Sequence, residues 1–379
     1  MDNDFIKLIS EIHEQRYSRK IQNLINNKTP CGFLCGFYIP DNLSNVVNYL
    51  VSIGVNLNCL CITSDIQDLQ ASIPIIQIEN LEQSEFKPEV LFYIDNIFHA
   101  QFSEYCVRQG IKRLIFANYS TSEYLYDYFI QNLSTIYSVY KMLENEESKR
   151  VFEAAIKGRL TLNLEDFEYA PEPQYFLKGF FPKKGDIAID GGAYDGATAR
   201  DFSMQGAKVY AFEMSAENYQ NCLERAKKYH FTIENFGLSN SEGESFYIES
   251  GAGSRKGGNT GPVAKFIDLD TYVERKNLPR VDYIKLDIEG AELDMLHGAV
   301  KTISRWKPKM AISAYHKPED LWTLATYVKS IRPDYKFQFR HYRTDCTNYV
   351  LTAAQRDILK KLNLSCLIPC IGEMVLYCK

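Results

Sequence analysis

The stretch DIAIDGGAYDG, Asp186–Gly196, decides the fold of this chain. Ile187 and Ile189 suit a strand buried on both faces, and Asp190 ends it. Gly191, Gly192 and Gly196 then let backbone approach a ligand without a Cβ in the way, and ATARDFSM opens a helix whose first N–H groups are unspent donors. Strand, glycine turn and helix in that order are the first half of a βαβ unit with a ligand at the turn. At the end of the following strand, KVYAFE, stands Glu213, where a carboxylate can accept from the two ribose hydroxyls of an adenosine.

The turn separates the ligands that such a unit can hold. Its glycines do not fall as G-x-G-x-x-G, and an acid occupies the strand end where the dinucleotide pattern has its first glycine. A carboxylate there suits the cationic methionine part of S-adenosylmethionine better than a pyrophosphate. Methyl-donor binding is therefore the leading reading, with a nicotinamide dinucleotide and a purely structural turn as the alternatives.

A second informative run is VDYIKLDIEGAELDML, Val281–Leu296, read as a strand, a tight turn at Gly290 and a helix. Strand alternation puts Tyr283, Lys285, Asp287 and Glu289 on one face and Ile284, Leu286 and Ile288 on the other. Charges on a central parallel strand are costly unless they pair or serve a site at its carboxyl end. Two readings follow: a site, or a structural Lys285–Asp287 ion pair. The next strand, KMAISAYH, ends in His316 on the same rim, either a candidate base or an ordinary polar histidine.

These runs together resemble the FkbM family of S-adenosylmethionine-dependent methyltransferases. The pieces that carry the resemblance are AIDGGAYDGATARDF (Ala188–Phe202), VYAFEMSAENYQNC (Val209–Cys222), ENFGLSNSEG (Glu234–Gly243), FIDLDTYV (Phe266–Val273), YIKLDIEGAELDML (Tyr283–Leu296) and AISAYHKPEDLW (Ala311–Trp322). The helical MLENEESKRVFEAAIKGRLT and the QYF of Gln174–Phe176 resemble the family's connector. The resemblance implies S-adenosylmethionine as cofactor, held by Asp190, Gly191, Gly192, Ala193, Asp195, Gly196, Glu213, Met214, Asn235, Phe236, Gly237 and Asp287. It places Asp287, Glu289 and His316 around the acceptor, with Asp287 or His316 as base, Glu289 orienting and Lys285 tuning the charge.

Composition fits an ordinary enzyme. The 379 residues are 45% hydrophobic, enough for more than one core, and the net charge of −5 supplies no basic stripe for nucleic acid. The acidic start MDNDFIKLIS lacks a basic, then apolar, leader, and no run approaches the ~20 apolar residues of a membrane span. A cytoplasmic enzyme is expected. Ten scattered cysteines without C-x-x-C spacing read as reduced thiols. Cys366 and Cys370 alone do not make a zinc site; a metal is possible in the acidic cluster of Asp287 and Glu289, yet no ligand spacing requires one.

The expected fold class is α/β in three segments. Residues 1–118 form a small, degenerate Rossmann-like domain: a charged helix over 4–26, then strands at CGFLCGF, NCLCIT, EVLFYI and RLIFA with helices between them. Its turn GFYIPDNLS lacks phosphate-cradling glycines, so it reads as a scaffold or a route to a homo-oligomer. Residues 119–180 are a helical connector. Residues 181–379 are the Rossmann-like methyltransferase domain, a mostly parallel sheet with a C-terminal antiparallel strand. Within it ESGAGSRKGGNTGP (Glu249–Pro262) is too glycine-rich for a regular element and is either a lid or a connection. After YKFQFRHY comes either a hairpin partner NYVLTA or an inserted helix AQRDILKKLN followed by the strand EMVLYC; the second is favoured.

The function implied is methyl transfer to a hydroxyl of a sugar, glycoconjugate or small metabolite. Arg255 and Lys256 in the glycine-rich loop suggest an acceptor carrying phosphate or carboxylate. The rival classes are a nicotinamide-dependent oxidoreductase and a donor-binding protein without turnover.

Overall fold

The computed structural model describes residues 3–37, 39, 43–66, 71–94, 97–116, 119–345, 352–364, 367–368 and 370–379. The chain forms two compact units. One comprises Met1–Ser134, Arg150–Tyr169 and Tyr342–Ile371; the other comprises Thr135–Lys149, Ala170–His341 and Gly372–Lys379. These units cut across the three sequence segments. The connector is divided inside the helix Glu146–Thr161, and residues 342–371 group with the N-terminal sheet.

The first unit holds a parallel sheet of β1 (Cys31–Gly36), β2 (Leu57–Ile62), β3 (Ile75–Gln77), β4 (Val90–Ile94) and β5 (Lys112–Phe116), in the order β3-β2-β1-β4-β5. Each neighbouring pair is parallel, as helical crossovers require. β3 is a strand that the sequence reading passes over, because three residues between turns show no period. The expected helix over 4–26 is two helices, Asn3–Gln15 and Tyr17–Asn26, parted where Arg16 adopts ψ 153°. Parts of the GFYIPDNLS turn, Cys346, Cys366 and most of NYVLTA lie outside the described residues.

Residues 342–371 carry the expected inserted helix, Ala353–Lys361, started by a reciprocal cap between Thr352 and Gln355. Around it, β16 (Thr344–Asp345) pairs antiparallel with β17 (Leu367–Ile368). Two contacts explain why this insert belongs to the first unit: Arg343 Nη1 lies 2.6 Å from Glu104 Oε1, and Arg108 Nη2 donates to the Leu362 carbonyl at 2.6 Å.

The second unit is built on seven strands: β6 (Ile187–Gly191), β7 (Lys208–Phe212), β8 (Thr232–Glu234), β13 (Tyr283–Leu286), β14 (Lys309–Ser313), β15 (Phe337–His341) and β18 (Met374–Cys378). Their order is β15-β18-β14-β13-β6-β7-β8. β18 runs antiparallel to both β14 and β15, and the remaining pairs are parallel, the expected architecture. A smaller sheet of β9 (Gly237–Leu238), β10 (Gly243–Ile248), β11 (Arg255–Lys256) and β12 (Val263–Ile267) flanks it. The order reverses between β6 and β13, and the crevice beyond the carboxyl ends of those strands is where an open α/β sheet binds its ligand. β6 and β13 are buried at every residue, so hydrophobic burial on both faces fixes their places.

A buried cation ties the edge of this sheet to the segments before it. Arg340, on β15 with its side chain 4% exposed, meets Glu147 Oε2 at 2.6 Å and Glu172 Oε1 at 3.1 Å. It also donates to Ser148 Oγ at 2.9 Å. Arg340→Met should lower the stability of this unit by about 3 kcal/mol, the scale for breaking a buried ion pair. Urea unfolding followed by tryptophan fluorescence checks it, because Trp306 and Trp322, the two tryptophans of the chain, both lie in this unit.

Candidate functional site

The turn after β6 is shaped by the protein around it. A Cβ on Gly192, whose φ is +77°, would overlap the Asp287 carbonyl oxygen, so this glycine is where two strand ends cross. Side chains at Gly191 and Gly196 would meet Leu238 and Leu286, and Cys222 and Phe231, respectively. The N–H groups of Gly192 and Ala193 both bond to the Phe212 carbonyl, at 3.1 and 3.0 Å. Close ligand approach was expected to explain these glycines; internal packing excludes their side chains.

Beneath the turn lies Lys285. Register pairs it with Asp190 across β13 and β6, and its Nζ sits 3.1 Å from Asp190 Oδ1. The same Nζ donates to the Gly192 carbonyl at 2.8 Å and the Gly191 carbonyl at 3.2 Å, and lies 5.3 Å from the centroid of the Tyr175 ring. Lys285 thus pairs with Asp190, and the Lys285–Asp287 pair of the sequence reading is not what the strands form. Burial alone would lower the ammonium pKa, but Asp190 and then Asp287 hold it above its ordinary value. Burial holds the Asp190 carboxyl above its ordinary value, against the pull of Lys285. The two shifts favour opposite charge states. We take the pair as ionic, because Nζ faces three oxygens, the two carbonyls and Asp190 Oδ1, and only the ammonium carries three protons. Asp190 is fully buried, and neither of its oxygens accepts a well-aligned hydrogen bond.

Glu213 follows β7 and is 6% exposed. Its two oxygens accept from the backbone N–H groups of Tyr194 and Ser215, each at 2.8 Å. Burial raises its pKa and those two N–H groups lower it, with a net rise. Asn235 latches the segment beyond, its Nδ2 donating to the Glu213 carbonyl at 2.8 Å. Met214 packs on the small cluster of Tyr247, Ala264 and Phe266, Gly237 leaves room for the Phe266 ring, and Phe236 is half-buried. Asp195 is spent locally: it accepts from Ala197 N at 2.9 Å and pairs with Arg225 Nη1 at 2.6 Å.

On the other side, β13 ends at Leu286, and Glu289 (φ +55°) and Gly290 (φ +94°) turn the chain sharply. Asp287 and Glu289 therefore share a neighbourhood through this turn, since the strand pleat stops before them. His316, beyond β14, reaches the same place. Its Nε2 is 3.5 Å from Asp287 Oδ1 and 3.5 Å from Glu289 Oε2, and its Nδ1 is 2.9 Å from Glu292 Oε1. Burial would lower the imidazole pKa, but Glu289, Glu292 and Asp287 outweigh it and push it up to about 11. In this arrangement the imidazole keeps its proton at neutral pH, which does not suit the expected role of base.

Several neighbours have no role in the sequence reading. The Tyr175 hydroxyl donates to Asp287 Oδ2 at 2.8 Å, and the Tyr315 hydroxyl to Asp287 Oδ1 at 3.3 Å. Glu292 is 1% exposed and accepts from Ile288 N at 2.9 Å, which pins the turn. Asp320 has its pKa raised to about 7, first by burial and then by Glu292. Glu373 is raised by burial and then by Asp287. The signals for Tyr175 and Glu292 were present, in QYF and in IKLDIEGAE, but neither motif shows what its residues touch. The segment 249–262 is more regular than its glycines suggest: Arg255–Lys256 pairs antiparallel with β10, and Lys256 Nζ donates to Ser239 Oγ at 3.1 Å.

Residues 190–344 match the family model of the methyltransferase FkbM domain. That stretch of the chain is thus similar to the FkbM methyltransferase domain. The chain's fold is also that of the crystal structure of methyltransferase FkbM from Methylobacillus flagellatus KT: the TM-score is 0.66 at 18% identity, covering 100% of this chain and 98% of that one. A curated relative, hexuronic acid methyltransferase AglP of Haloferax volcanii, is 28% identical over 127 residues, 32% of this chain and 53% of the relative. The chain thus spans about half the length of that relative. The match with a methyltransferase domain supports S-adenosylmethionine as the cofactor. The residues present fit it: Asp190 offers buried oxygens without a well-aligned donor, and Glu213 keeps lone pairs beyond the two its backbone partners take. Among the described residues no helix is long and apolar enough to cross a membrane.

Lys285→Met should destabilise the second unit by about 3–5 kcal/mol, since it leaves the Asp190 carboxylate buried without its partner. Adding Asp190→Asn should recover a large part of that loss. A double-mutant cycle measured by urea unfolding checks the coupling.

Proposed function

We propose that this chain transfers a methyl group from S-adenosylmethionine to a hydroxyl of a carboxylate-bearing sugar or a similar small acceptor. The observation that carries the reading is the junction of the two turns. Asp287 N donates to the Gly191 carbonyl at 3.1 Å, so the carboxylate of Asp287 sits next to the turn that holds the donor. That side chain is 24% exposed, open to an incoming hydroxyl, while Tyr175 and Tyr315 hold its orientation.

Bound S-adenosylmethionine supplies an electrophilic methyl group. The chain supplies the rest. Glu213 and the turn 191–196 position the adenosine end, and Lys285 keeps the turn in place from below. Asp287 takes the proton of the acceptor hydroxyl, a task that asks for a carboxylate within ~3 Å of it. His316, charged and braced by Glu292, keeps two neighbouring carboxylates from repelling each other. The acid-bearing acceptor is supported by the exposed Arg255 on β11 and by the substrate named for the Haloferax relative, a hexuronic acid.

Glu213→Ala should weaken S-adenosylhomocysteine binding by about 1.5–3 kcal/mol, measured by calorimetry, the scale of hydrogen bonds to a charged group. Asp287→Asn should leave that binding within a factor of about two and lower methyl transfer to a uronate acceptor roughly a hundredfold. Donor binding without turnover on any acid-bearing sugar would favour a protein that binds the donor and no longer reacts. Arg255→Ala should raise the acceptor KM several-fold and flatten its dependence on salt, with donor affinity unchanged; steady-state kinetics at two ionic strengths decide it.

A further inference from the structure

The acceptor side of the site holds more negative charge than its own side chains neutralise. One ligand atom from each of Asp287, Glu289 and His316 lies within 4.8 Å of the other two. The His316 side chain is 8% exposed, more than nine-tenths buried, and its Nε2 points between the two carboxylates without a hydrogen bond to either. If a proton on Nε2 were the whole explanation, the imidazolium would close on one carboxylate at about 2.7–2.9 Å, the usual length of a charge-assisted hydrogen bond. It stands 3.5 Å from each. Three donors bound to one ion at about 2.0–2.2 Å are themselves roughly 3.0–3.6 Å apart.

The rest of the cluster fits the same purpose. Nδ1 of His316 lies 2.9 Å from Glu292 Oε1, at ion-pair distance but without a well-aligned hydrogen bond, and that oxygen takes the Ile288 N–H. A buried carboxylate beside the far nitrogen of an imidazole favours a proton there, is the usual support of a metal-ligating histidine, and lets an ion displace the proton that Nε2 carries in the metal-free site. The Tyr175 hydroxyl bonds Asp287 Oδ2 at 2.8 Å, and Oδ1, which takes a longer bond from Tyr315 at 3.3 Å, keeps a second lone pair and lies 3.5 Å from His316 Nε2.

We propose that Asp287, Glu289 and His316 form a divalent-cation site, with Glu292 as the residue that positions its histidine. Two carboxylate oxygens and one imidazole nitrogen suit a first-row ion such as Mn2+ or Zn2+ better than Mg2+, which favours oxygen alone. Three protein ligands leave positions for water and for an acceptor oxygen. Where the methyl-transfer reading holds, the ion would act as a Lewis acid on the acceptor hydroxyl and ease transfer of its proton to Asp287, the base of that reading. The site itself does not depend on that reading.

The test uses the full chain, stripped with chelator and titrated with Mn2+ while free Mn2+ is followed by electron paramagnetic resonance. One Mn2+ per chain is expected. Glu289→Gln should weaken binding at least tenfold, and Glu292→Gln about ten- to a hundredfold, with the melting temperatures of the metal-free variants close to wild type. Absence of Mn2+ binding at millimolar concentration overturns the site, as does equal affinity in wild type and Glu289→Gln. Should Glu292→Gln bind Mn2+ as tightly as wild type, the positioning role of Glu292 is refuted. Calorimetry with S-adenosylhomocysteine on the same samples keeps the two readings apart: donor binding without Mn2+ binding refutes the ion alone, and Mn2+ binding without donor binding refutes the methyl donor alone.

Discussion

The site rests on one buried charge, the Lys285 ammonium. It lies under the point where the strand order reverses, paired with Asp190 by strand register and bonded to the carbonyls of Gly191 and Gly192. A cation removed from water is costly, and these oxygens, with Asp287 nearby, offset that cost. The turn after β6 therefore has its conformation set from below, by a side chain of the neighbouring strand, before any ligand arrives. The Tyr175 ring lies against the same ammonium and its hydroxyl continues to Asp287, so the two halves of the site share one network.

Steric contact reinforces that coupling. The lack of a side chain at Gly192 lets the first turn press on the Asp287 carbonyl, and the Asp287 N–H returns to the Gly191 carbonyl. A displacement of one turn is felt by the other through backbone, which is the stiff route. This geometry suits a reaction in which the donor and the group that takes the acceptor proton must keep a fixed separation.

Electrostatics sets the second constraint. Asp287, Glu289 and Glu292 surround His316, and Asp320 and Glu373 nearby are both held above their ordinary pKa values by burial and by these neighbours. Such crowding of acids in a protein interior is relieved by protonation of some of them or by added positive charge, from a protonated imidazole or from an ion. The cluster around His316 is thus poised to take up cationic charge, whereas the buried Lys285–Asp190 pair is matched and already balanced.

Much of this was legible in residue order. Apolar runs ending in Asp190, Glu213, Asp287 and His316 mark the carboxyl ends of four strands, because burial on both faces demands apolar strands and leaves polar residues for the rim. The antiparallel end of the sheet was legible too, in MVLYC. Pairing was not. Whether Lys285 would meet Asp287, two residues along its own strand, or Asp190, across the sheet, depends on register, and register is a property of two strands at once. The same holds for His316: its type and position suggest a base, but its charge is decided by three carboxylates, one of them Glu292 on a helix beyond the turn. Tyr175 and residues 342–371 make the point at longer range, since contacts between residues far apart in sequence leave no period in either segment. Local propensity and hydrophobic pattern determine strands, turns and rim residues; which side chains share a charge is decided only when the tertiary structure closes.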